Sequence, residues 1–268
     1  MIGRTAIAAV AACLLAAAGA VAQDEVPFVT TPDAVTLVML ELAGVGERDH
    51  VIDLGSGDGR IVITAARRFG ASGLGVEIVA DLVRQSRDFA RAAGVSGRVE
   101  FREQDLFRTD LGRATVVTMY LLPDVNLQLR PSLLALAPGT RIVSHDWDMG
   151  DWAPDRTVTV EVPEKTLGRD KSSRVHLWRV PAQVGGRWCA AGASLDITQR
   201  FQRFSATLAS PGEAAPSAVF DGRIDGTALI AEGASAASLA LEGSVLTLRH
   251  AGVASGRRFT RTTGSSCR

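Results

Sequence analysis

A short glycine-rich stretch constrains the fold of this chain more than any other segment. Residues 51–54 form an apolar run with Asp53 near its end, and residues 60–69 have the pattern of a helix. Between them, glycines alternate with other residues at Gly55, Gly57 and Gly59. Glycine adopts positive φ angles and lets a ligand approach the backbone, and a helix start offers unpaired N–H groups. The stretch therefore predicts a nucleotide-type site at the carboxyl end of the first strand of an α/β sheet.

The spacing of these glycines argues against a dinucleotide and against a phosphate loop. A dinucleotide fingerprint requires Gly-x-Gly-x-x-Gly, and Arg60 stands where its third glycine would be. A phosphate-binding loop requires Gly-Lys-Ser/Thr, which the chain lacks. The carboxylate of Asp53 suits a cationic or amine-bearing ligand better than a pyrophosphate.

Two acidic residues follow the next two predicted strands. Glu77 ends the strand at 73–77, about 20 residues beyond the loop, where a ribose-binding acid is expected. Asp105 follows the strand at 98–102 and is placed to accept a hydrogen bond from an adenine amino group. Alone, Asp105 is better explained as a helix cap, and a solvated strand end would account for Glu77. Because each acid follows its own strand, and the two strands are consecutive, we predict that Glu77 and Asp105 belong to the same site as the glycine loop.

The first two thirds of the chain alternate strand and helix patterns. Predicted strands near 50–54, 73–77, 98–102, 115–120 and 140–144 are separated by helical segments. This order predicts right-handed βαβ units and a Rossmann-like, mostly parallel sheet. Residues 157–162 and 174–180 alternate in polarity, which predicts a closing antiparallel hairpin at the sheet edge. We assign residues 27–180 to this domain.

The remainder of the chain predicts a second, smaller domain. Residues 181–186 resemble a linker, and from there short strand-like runs with glycine turns continue to the C-terminus. Such runs predict a small antiparallel β-domain at 186–268, either a sandwich or a barrel. Cys189 and Cys267 lie near its two ends, and a disulfide between them is expected if the protein is exported.

The N-terminus has the features of a secretory signal peptide. Arg4 provides a positive start, residues 6–18 form an apolar run too short for a bilayer span, and Ala20-Val21-Ala22 is a small-x-small cleavage site. We therefore expect residues 1–22 to be removed and the mature protein, without a membrane span, to be periplasmic or secreted. An uncleaved segment would instead leave a membrane-anchored or cytoplasmic protein.

The glycine loop and the acids together resemble the class I S-adenosylmethionine (SAM)-dependent methyltransferases, over residues 27–180. The resemblance implies SAM as cofactor, with its methionine part on the first loop, its ribose on Glu77 and its adenine near Asp105. It also implies that Asp53 and Asp58 lie near the methionine end. The implied cofactor-binding residues are Asp53, Gly55, Ser56, Gly57, Asp58, Glu77 and Asp105.

Four segments, at 27–32, 53–62, 120–123 and 144–147, carry a narrower resemblance. They are similar to the lysine methyltransferase family whose eukaryotic members modify the c-ring protein of mitochondrial ATP synthase and adenine nucleotide translocase. This resemblance implies an amine acceptor such as a protein lysine. The predicted signal peptide and β-domain depart from the family. A small-molecule methyltransferase and an exported binding protein on the same scaffold are therefore the alternatives.

The acceptor site is expected beyond the fourth predicted strand, with Tyr120 and Pro123 as candidate catalytic residues. A lysine acceptor must first lose its proton, which a nonpolar site favours. Tyr120 either bounds the acceptor by packing its ring on the amine or belongs to the core. Pro123 either lies at the acceptor or starts the next helix, and His145 is either a base or a structural residue.

Composition limits the class of partner. The formal net charge is +0, which gives no support for non-specific nucleic-acid binding. Hydrophobic residues make up 46% of the chain and charged residues 22%, values typical of a globular protein. The four histidines are scattered, so no metal site is expected. The expected partner is an acceptor substrate, with no nucleic acid.

Overall fold

The computed structural model describes residues 29–165, 170–210, 215–232, 237–250, 256–264 and 267. These residues form a seven-stranded sheet flanked by helices, followed by a closed eight-stranded barrel. The predicted fold class, a Rossmann-like sheet with a closing hairpin and a small all-β domain, is confirmed. The predicted signal peptide at 1–22 lies outside the described residues.

The sheet has the strand order β3-β2-β1-β4-β5-β7-β6. Its strands are β1 (His50–Leu54), β2 (Ser72–Glu77), β3 (Val99–Glu103), β4 (Val116–Met119), β5 (Arg141–His145), β6 (Arg156–Glu161) and β7 (Ser172–Arg179). Strands β1 to β5 are mutually parallel, whereas β7 runs antiparallel to both β5 and β6. The order reverses between β1 and β4, so the carboxyl end of β1 lies at the switch point where α/β sheets bind ligands.

Four helices cover the two faces of the sheet. They are α1 (Asp33–Leu42), α2 (Arg60–Phe69), α3 (Ala80–Ala92) and α4 (Pro123–Leu134). Buried side chains of α1 and α2, such as Met39 and Ile61, pack in one core cluster with Val143 and Val175 of the sheet. A second cluster contains Leu133 of α4 and side chains from other strand positions. Burial on both faces thus makes the two-sided core that parallel strands require.

Thr31-Pro32 has the pattern of a helix cap followed by a first helical residue, yet α1 begins at Asp33. Pro32 is the N-cap and makes no side-chain cap hydrogen bond. The hydroxyl of Thr31 instead hydrogen-bonds Nδ1 of His145 at 3.3 Å. This hydrogen bond takes the place of a helix cap and joins residues 29–32, which we call the lead-in segment, to the end of β5.

The C-terminal domain is a barrel, which resolves the alternative between a sandwich and a barrel. Its strands are β8 (Gly186–Ala190), β9 (Ala193–Arg200), β10 (Arg203–Ala209), β11 (Ala218–Asp225), β12 (Ala228–Ala231), β13 (Ala237–Glu242), β14 (Val245–His250) and β15 (Arg258–Arg261). Buried side chains, including Trp188, Phe204, Phe220 and Phe259, fill its interior. The barrel is therefore a packed core, as expected for eight strands.

The barrel closes where β15 meets β8, and the predicted disulfide lies at this seam. Among the described residues, the register pairs Thr260 with Cys189 and Arg261 with Trp188, and the N–H of Thr262 donates to the carbonyl of Arg187 at 3.0 Å. Cys189 is bonded to Cys267, with the two Cα atoms 5.4 Å apart and a sequence separation of 78. The covalent bond reinforces the shortest ladder of the barrel.

The turn between β9 and β10 docks the barrel on the first domain. The ring of Phe201 stacks on that of Trp152, with centroids 6.0 Å apart, and the Arg130 guanidinium lies 5.7 Å from the Phe201 centroid. Nε2 of Gln202 donates to the carbonyl of Ala153 at 2.6 Å. This contact combines aromatic stacking, a cation–π interaction and a hydrogen bond.

A second contact places the barrel at the amino-terminal edge of the parallel strands. Arg179 forms a 3.0 Å ion pair with Asp225 at the end of β11, and Arg179 is the register partner of Arg141, the first residue of β5. Ligand sites of such sheets lie at the opposite, carboxyl edge. The barrel therefore lies away from the predicted site.

None of the helices in the described ranges has both the length and the apolar character needed to span a bilayer.

Candidate functional site

The loop after β1 contains three glycines in left-handed conformations. Gly55, Gly57 and Gly59 have φ angles of 74°, 52° and 81°. The N–H groups of Gly55 and Ser56 both donate to the carbonyl of Val76, at 3.0 and 2.9 Å. The loop is thereby fixed against the end of β2, and an L-residue with a side chain would be strained at each glycine.

Close packing beneath the loop explains a further glycine. A Cβ atom on Gly75 would lie 2.6 Å from the Ser56 hydroxyl oxygen and 2.6 Å from the ring of Phe101. A Cβ atom on Gly59 would also lie 2.6 Å from that ring. The absence of these side chains lets the loop, β2 and β3 approach one another.

Asp53 is a buried carboxyl group directly beside the loop. It is 2% exposed, and Oδ1 accepts a 2.7 Å hydrogen bond from the Thr118 hydroxyl on the neighbouring β4. Burial raises the pKa of Asp53 to about 7, the hydrogen bond from Thr118 opposes the rise, and the charges of Asp58 and Glu77 add to it. A cationic group placed against Asp53 would stabilise its ionised form.

Glu77 connects the loop to the start of α3. Its Oε2 accepts from the N–H of Gly57 at 3.0 Å, and its Oε1 accepts from the N–H groups of Ile78 and Val79 at 2.8 and 3.0 Å. These three bonds set the direction of the carboxylate. Because each carboxylate oxygen has about two acceptor sites, Oε2 retains one for a ligand hydroxyl.

Asp58 is hydrogen-bonded to the side chain of Arg60, two residues further along the chain. Both of its carboxylate oxygens accept from the Arg60 guanidinium, including a 2.6 Å bond from Nη2 to Oδ2. Nη1 of Arg60 donates to the carbonyl of Thr31 at 2.9 Å. Asp58 therefore positions Arg60 and the lead-in segment, in addition to lying in the wall of the cavity described next.

These groups line a cavity of about 1050 Å³ at the carboxyl edge of the sheet. Its wall includes every predicted cofactor-binding residue, Asp53, Gly55, Ser56, Gly57, Asp58, Glu77 and Asp105. The predicted Tyr120 also lines it, whereas Pro123 does not appear among the described wall residues. Pro123 is the first residue of α4, so its proposed part in the reaction stays a prediction without support from the cavity.

The far end of the cavity is formed around Asp105. Its Oδ1 accepts from the N–H of Phe107 at 2.9 Å, which caps the short 3₁₀ helix Leu106–Arg108. Apolar side chains of Ile78 and Phe107 are 62% and 46% exposed, and both line the cavity. An acceptor carboxylate between exposed apolar groups suits a flat heterocycle with an amino group.

Tyr120 lies at the other end, against His145. The two ring centroids are 3.9 Å apart with an interplanar angle of 30°. His145 is 1% exposed, and its Nδ1 and Nε2 are hydrogen-bonded to the hydroxyls of Thr31 and Ser173. Burial lowers the pKa of His145 to about 4, which keeps the imidazole neutral and makes it a weak base. The structure thus favours a positioning part for His145.

Comparison with known proteins gives the family. A family model described as the ANTKMT methyltransferase domain matches residues 53–156. A protein-lysine N-methyltransferase of Saccharolobus islandicus (strain REY15A) is 45% identical over 138 residues, which cover 51% of this chain and 86% of that protein. The chain belongs to this family of SAM-dependent methyltransferases. The resemblance seen in the sequence is confirmed, and an adenine nucleotide translocase lysine N-methyltransferase of Mus musculus is 36% identical over 110 residues.

The coverage of these relatives differs. The match to the mouse protein covers 41% of this methyltransferase and 48% of the mouse chain, so less than half of that relative is represented. A crystal structure described as an RNA methyltransferase from Salinibacter ruber, in complex with S-adenosyl-L-homocysteine, is 54% identical and superposes with a TM-score of 0.52. That similarity covers 58% of this chain and 96% of the Salinibacter chain.

The wall of the large cavity fits SAM, the cofactor of this methyltransferase. The hydroxyl of Ser56 is buried and lacks a hydrogen-bond partner among the described residues, so it is available to a polar ligand atom. Asp53 complements the methionyl ammonium group of SAM, Glu77 a ribose hydroxyl, and Asp105 with Ile78 and Phe107 the adenine. The donors and acceptors thus follow the order of groups along SAM.

Several residues at the site were missed in the sequence. Thr118, Ile78 and Phe107 were not predicted, although Ile78 and Phe107 follow Glu77 and Asp105 within two positions. An apolar residue just after a strand-end acid was the available signal for both. Thr118 had none, because its contact with Asp53 depends on the parallel register of β1 and β4.

Proposed function

We propose that this methyltransferase transfers the methyl group of SAM to the Nε atom of a lysine in a protein. The observation that carries the proposal is Tyr120, whose half-buried ring lines the SAM cavity and packs on His145, which offers an aromatic surface suited to an amine. The identity of 45% to the protein-lysine N-methyltransferase of Saccharolobus islandicus supports it. The alternative of a non-catalytic binding protein has no such support.

The residues of the chain hold and align the reactants. SAM, when bound, supplies a methyl group already activated by its sulfonium. Glu77 and the loop amides fix the loop, while Asp53 offers a carboxylate to the cationic end. The ring of Tyr120 packs beside the acceptor and excludes water, and this loss of solvation favours the uncharged amine. Nitrogen forms the new bond to the methyl carbon, the sulfur keeps the electron pair of the broken bond, and the nitrogen releases a proton.

A second candidate function is methyl transfer to RNA. The structure from Salinibacter ruber is described as an RNA methyltransferase, and that protein is 54% identical to this chain. Against it stand a formal net charge of +0 and the exposed carboxylate of Asp33, on the approach to Tyr120. Phosphate contacts dominate nucleic-acid affinity, so a neutral protein is poorly suited to bind RNA.

Label transfer from methyl-labelled SAM distinguishes the two functions. The acceptors are a lysine-containing protein, the same protein with its lysine amines acetylated, and RNA. We expect label in the unmodified protein and background levels in the other two samples. Label in RNA alone would establish the second function, and label in the acetylated protein would exclude lysine as the acceptor.

We further propose that the mature protein acts outside the cytoplasm. The disulfide between Cys189 and Cys267 supports this location, because such bonds persist in oxidising compartments. The predicted signal peptide at 1–22 supports it independently. Cell fractionation followed by N-terminal sequencing tests the proposal. Mature protein beginning after Ala22 in an extracytoplasmic fraction is expected, and full-length protein in the cytosol would contradict it.

A further inference from the structure

A second cavity, of about 480 Å³, lies beside the SAM cavity. We call it the side cavity. The described residues of its wall are Val29, Thr30, Pro32, Asp33, Ala34, Arg60, Tyr120, His145, Glu164, Lys165 and Ser173. They come from the lead-in segment, the start of α1, the start of α2, the ends of β4 and β5, the turn after β6, and β7. Val29, Thr30, Arg60 and Tyr120 also line the SAM cavity, so the two spaces adjoin.

The side cavity runs from a solvent-exposed end to a buried end. The carboxylate of Asp33 is 96% exposed and Glu164 is exposed, whereas His145 and Ser173 are 1% and 2% exposed. Tyr120 is half-buried and lies at the boundary with the SAM cavity. A side chain entering between Asp33 and Glu164 would therefore meet the Tyr120 ring before it reached the SAM cavity.

The cations in the wall of the side cavity are already neutralised. Arg60 is paired with Asp58 at 2.6 Å and lies 3.7 Å from Asp33. Nζ of Lys165 donates to Oδ2 of Asp146 at 2.8 Å, and also to the carbonyl of Ser172 and the hydroxyl of Ser173. These hydrogen bonds use all three donors of the Lys165 ammonium. The buried imidazole adds no positive charge, so the wall does not repel an incoming amine.

The backbone of Asp146, which binds Lys165, has an unusual conformation. Asp146 has a φ angle of 61°, a left-handed conformation that a non-glycine residue adopts at a cost. Its Oδ1 accepts from the N–H of Arg174 at 2.9 Å while its Oδ2 binds Lys165. This conformation turns the carboxylate towards β7 and Lys165, and it keeps the Lys165 ammonium in the wall.

We propose that the side cavity is the channel through which the acceptor lysine reaches SAM, with Asp33 and Glu164 attracting its ammonium group at the entrance. The proposal rests on the proposed lysine methylation and specifies its route. It places the acceptor on the His145 side of Tyr120, between α1 and the turn at Glu164, rather than beside Pro123. The chemical character of the cavity suits a lysine side chain, because it is acidic at its mouth and aromatic at its inner end.

A steric block tests the route. Ala34 is exposed and lines the side cavity but not the SAM cavity, so Ala34→Trp narrows the proposed channel alone. We expect kcat/KM for a lysine peptide to fall about tenfold or more, because a misplaced acceptor reacts slowly, while calorimetry gives an unchanged Kd for SAM. Glu41→Trp is the matched control, since Glu41 is exposed on the same helix and lines neither cavity.

A bulky residue on the other side of the site tests the competing route. Gln128 on α4 is exposed and lines only the SAM cavity. If Gln128→Trp blocks methylation of the peptide at unchanged SAM affinity, while Ala34→Trp retains full activity, the proposed channel is wrong. If the wild-type protein itself methylates no lysine peptide, the proposed function fails together with its route, an outcome that differs from activity surviving in Ala34→Trp.

The charge at the entrance gives a second measurement. In the double variant Asp33→Asn with Glu164→Gln, KM for a lysine peptide should rise roughly three- to tenfold and its salt dependence should weaken, with kcat retained. Binding of the same peptide in the presence of S-adenosylhomocysteine should weaken in parallel. Unchanged KM and peptide affinity at low salt would remove these carboxylates from the proposal.

Discussion

At the scale of single residues, the charge of Asp53 couples the site to pH. Burial raises the pKa of Asp53 to about 7 from an ordinary value of 3.8, so between these values the folded protein binds a proton that the unfolded chain has lost. The contribution of Asp53 to the free energy of unfolding therefore falls as pH rises from about 4 to about 7, and it is constant above that range. A bound cation at Asp53 would reverse part of this loss.

The variant Asp53→Asn tests both the pH-dependent stability and the binding of a cationic ligand at this position. Because asparagine carries no charge, we expect its stability relative to the wild type to increase between about pH 4 and pH 7, by a few kcal/mol at the upper end. The affinity for SAM should fall in the same variant. Thermal denaturation over this pH range, with Asp81→Asn at an exposed position as control, checks the first effect. A stability difference that does not vary with pH would contradict it.

Glu77 is the second residue with a direct test. Glu77→Gln replaces one carboxylate oxygen, which accepts backbone N–H bonds, with an NH2 group that only donates, so the loop and the ribose subsite both lose acceptor capacity. We expect Kd for SAM to rise about tenfold, equivalent to about 1.4 kcal/mol. Glu103→Gln is the matched control, because Glu103 is the register partner of Glu77 on β3. Equal affinities in the two variants would exclude Glu77 from SAM binding.

At the scale of elements, the glycine loop and the acids at strand ends were predictable because their positions depend on local chain order. The carboxyl ends of adjacent parallel strands share an edge, so Glu77 and Asp105 had to meet the loop. Contacts between strands that are distant in sequence were not predictable in this way. Tyr120 and His145 stack because β4 and β5 are neighbours, and a single sequence does not specify how their rings pack.

The β9–β10 hairpin shows the same limit within the barrel. The sequence suggests one strand-like run over 194–208, but the run is broken at Phe201, whose φ angle is 52°. Local propensity disfavours a left-handed phenylalanine. Stacking on Trp152 and the contact with Arg130 hold it in that conformation, so the turn is set by the partner domain.

We therefore expect Phe201→Ala to weaken the contact between barrel and sheet. The variant loses a half-buried ring that stacks on Trp152 and makes a cation–π contact with Arg130. This loss should lower the free energy of unfolding by about 2 kcal/mol. Differential scanning calorimetry should show a lower Tm, and the Kd for SAM should be retained because the contact is remote from the SAM cavity. Val219→Ala, at a 54% exposed position of β11, is the control and should change stability little. An equal loss in both variants would show that Phe201 does not dock the barrel.

At the scale of the whole molecule, the two domains divide the work. The described residues that line the SAM cavity or the side cavity all lie between Val29 and Ser173. The barrel therefore contributes no described side chain to either cavity. Its contacts lie at the amino-terminal edge of the sheet. The barrel is therefore placed to add stability or to anchor the enzyme, and the family resemblance in the first domain gave no information about it.

Removal of the disulfide between Cys189 and Cys267 should destabilise the barrel. Replacing both Cys189 and Cys267 with serine opens a loop of 78 positions, which should cost roughly 4–5 kcal/mol in the chain-entropy model. The loss should appear as earlier melting of the barrel, because the bond closes its shortest ladder. Methyl transfer at low temperature should be unaffected. A coincident loss of SAM affinity would show that the barrel supports the site after all.

Methyl transfer from SAM to lysine is tested most directly by locating the methyl group in the product. A lysine-containing protein is incubated with the wild-type enzyme and SAM, and tandem mass spectrometry assigns the modified atom. We predict methyl groups on lysine Nε, strongly reduced with Glu77→Gln and retained with Glu103→Gln. Methylation at any other side chain, or an unmodified protein beside methylated RNA, would contradict lysine methylation by this enzyme.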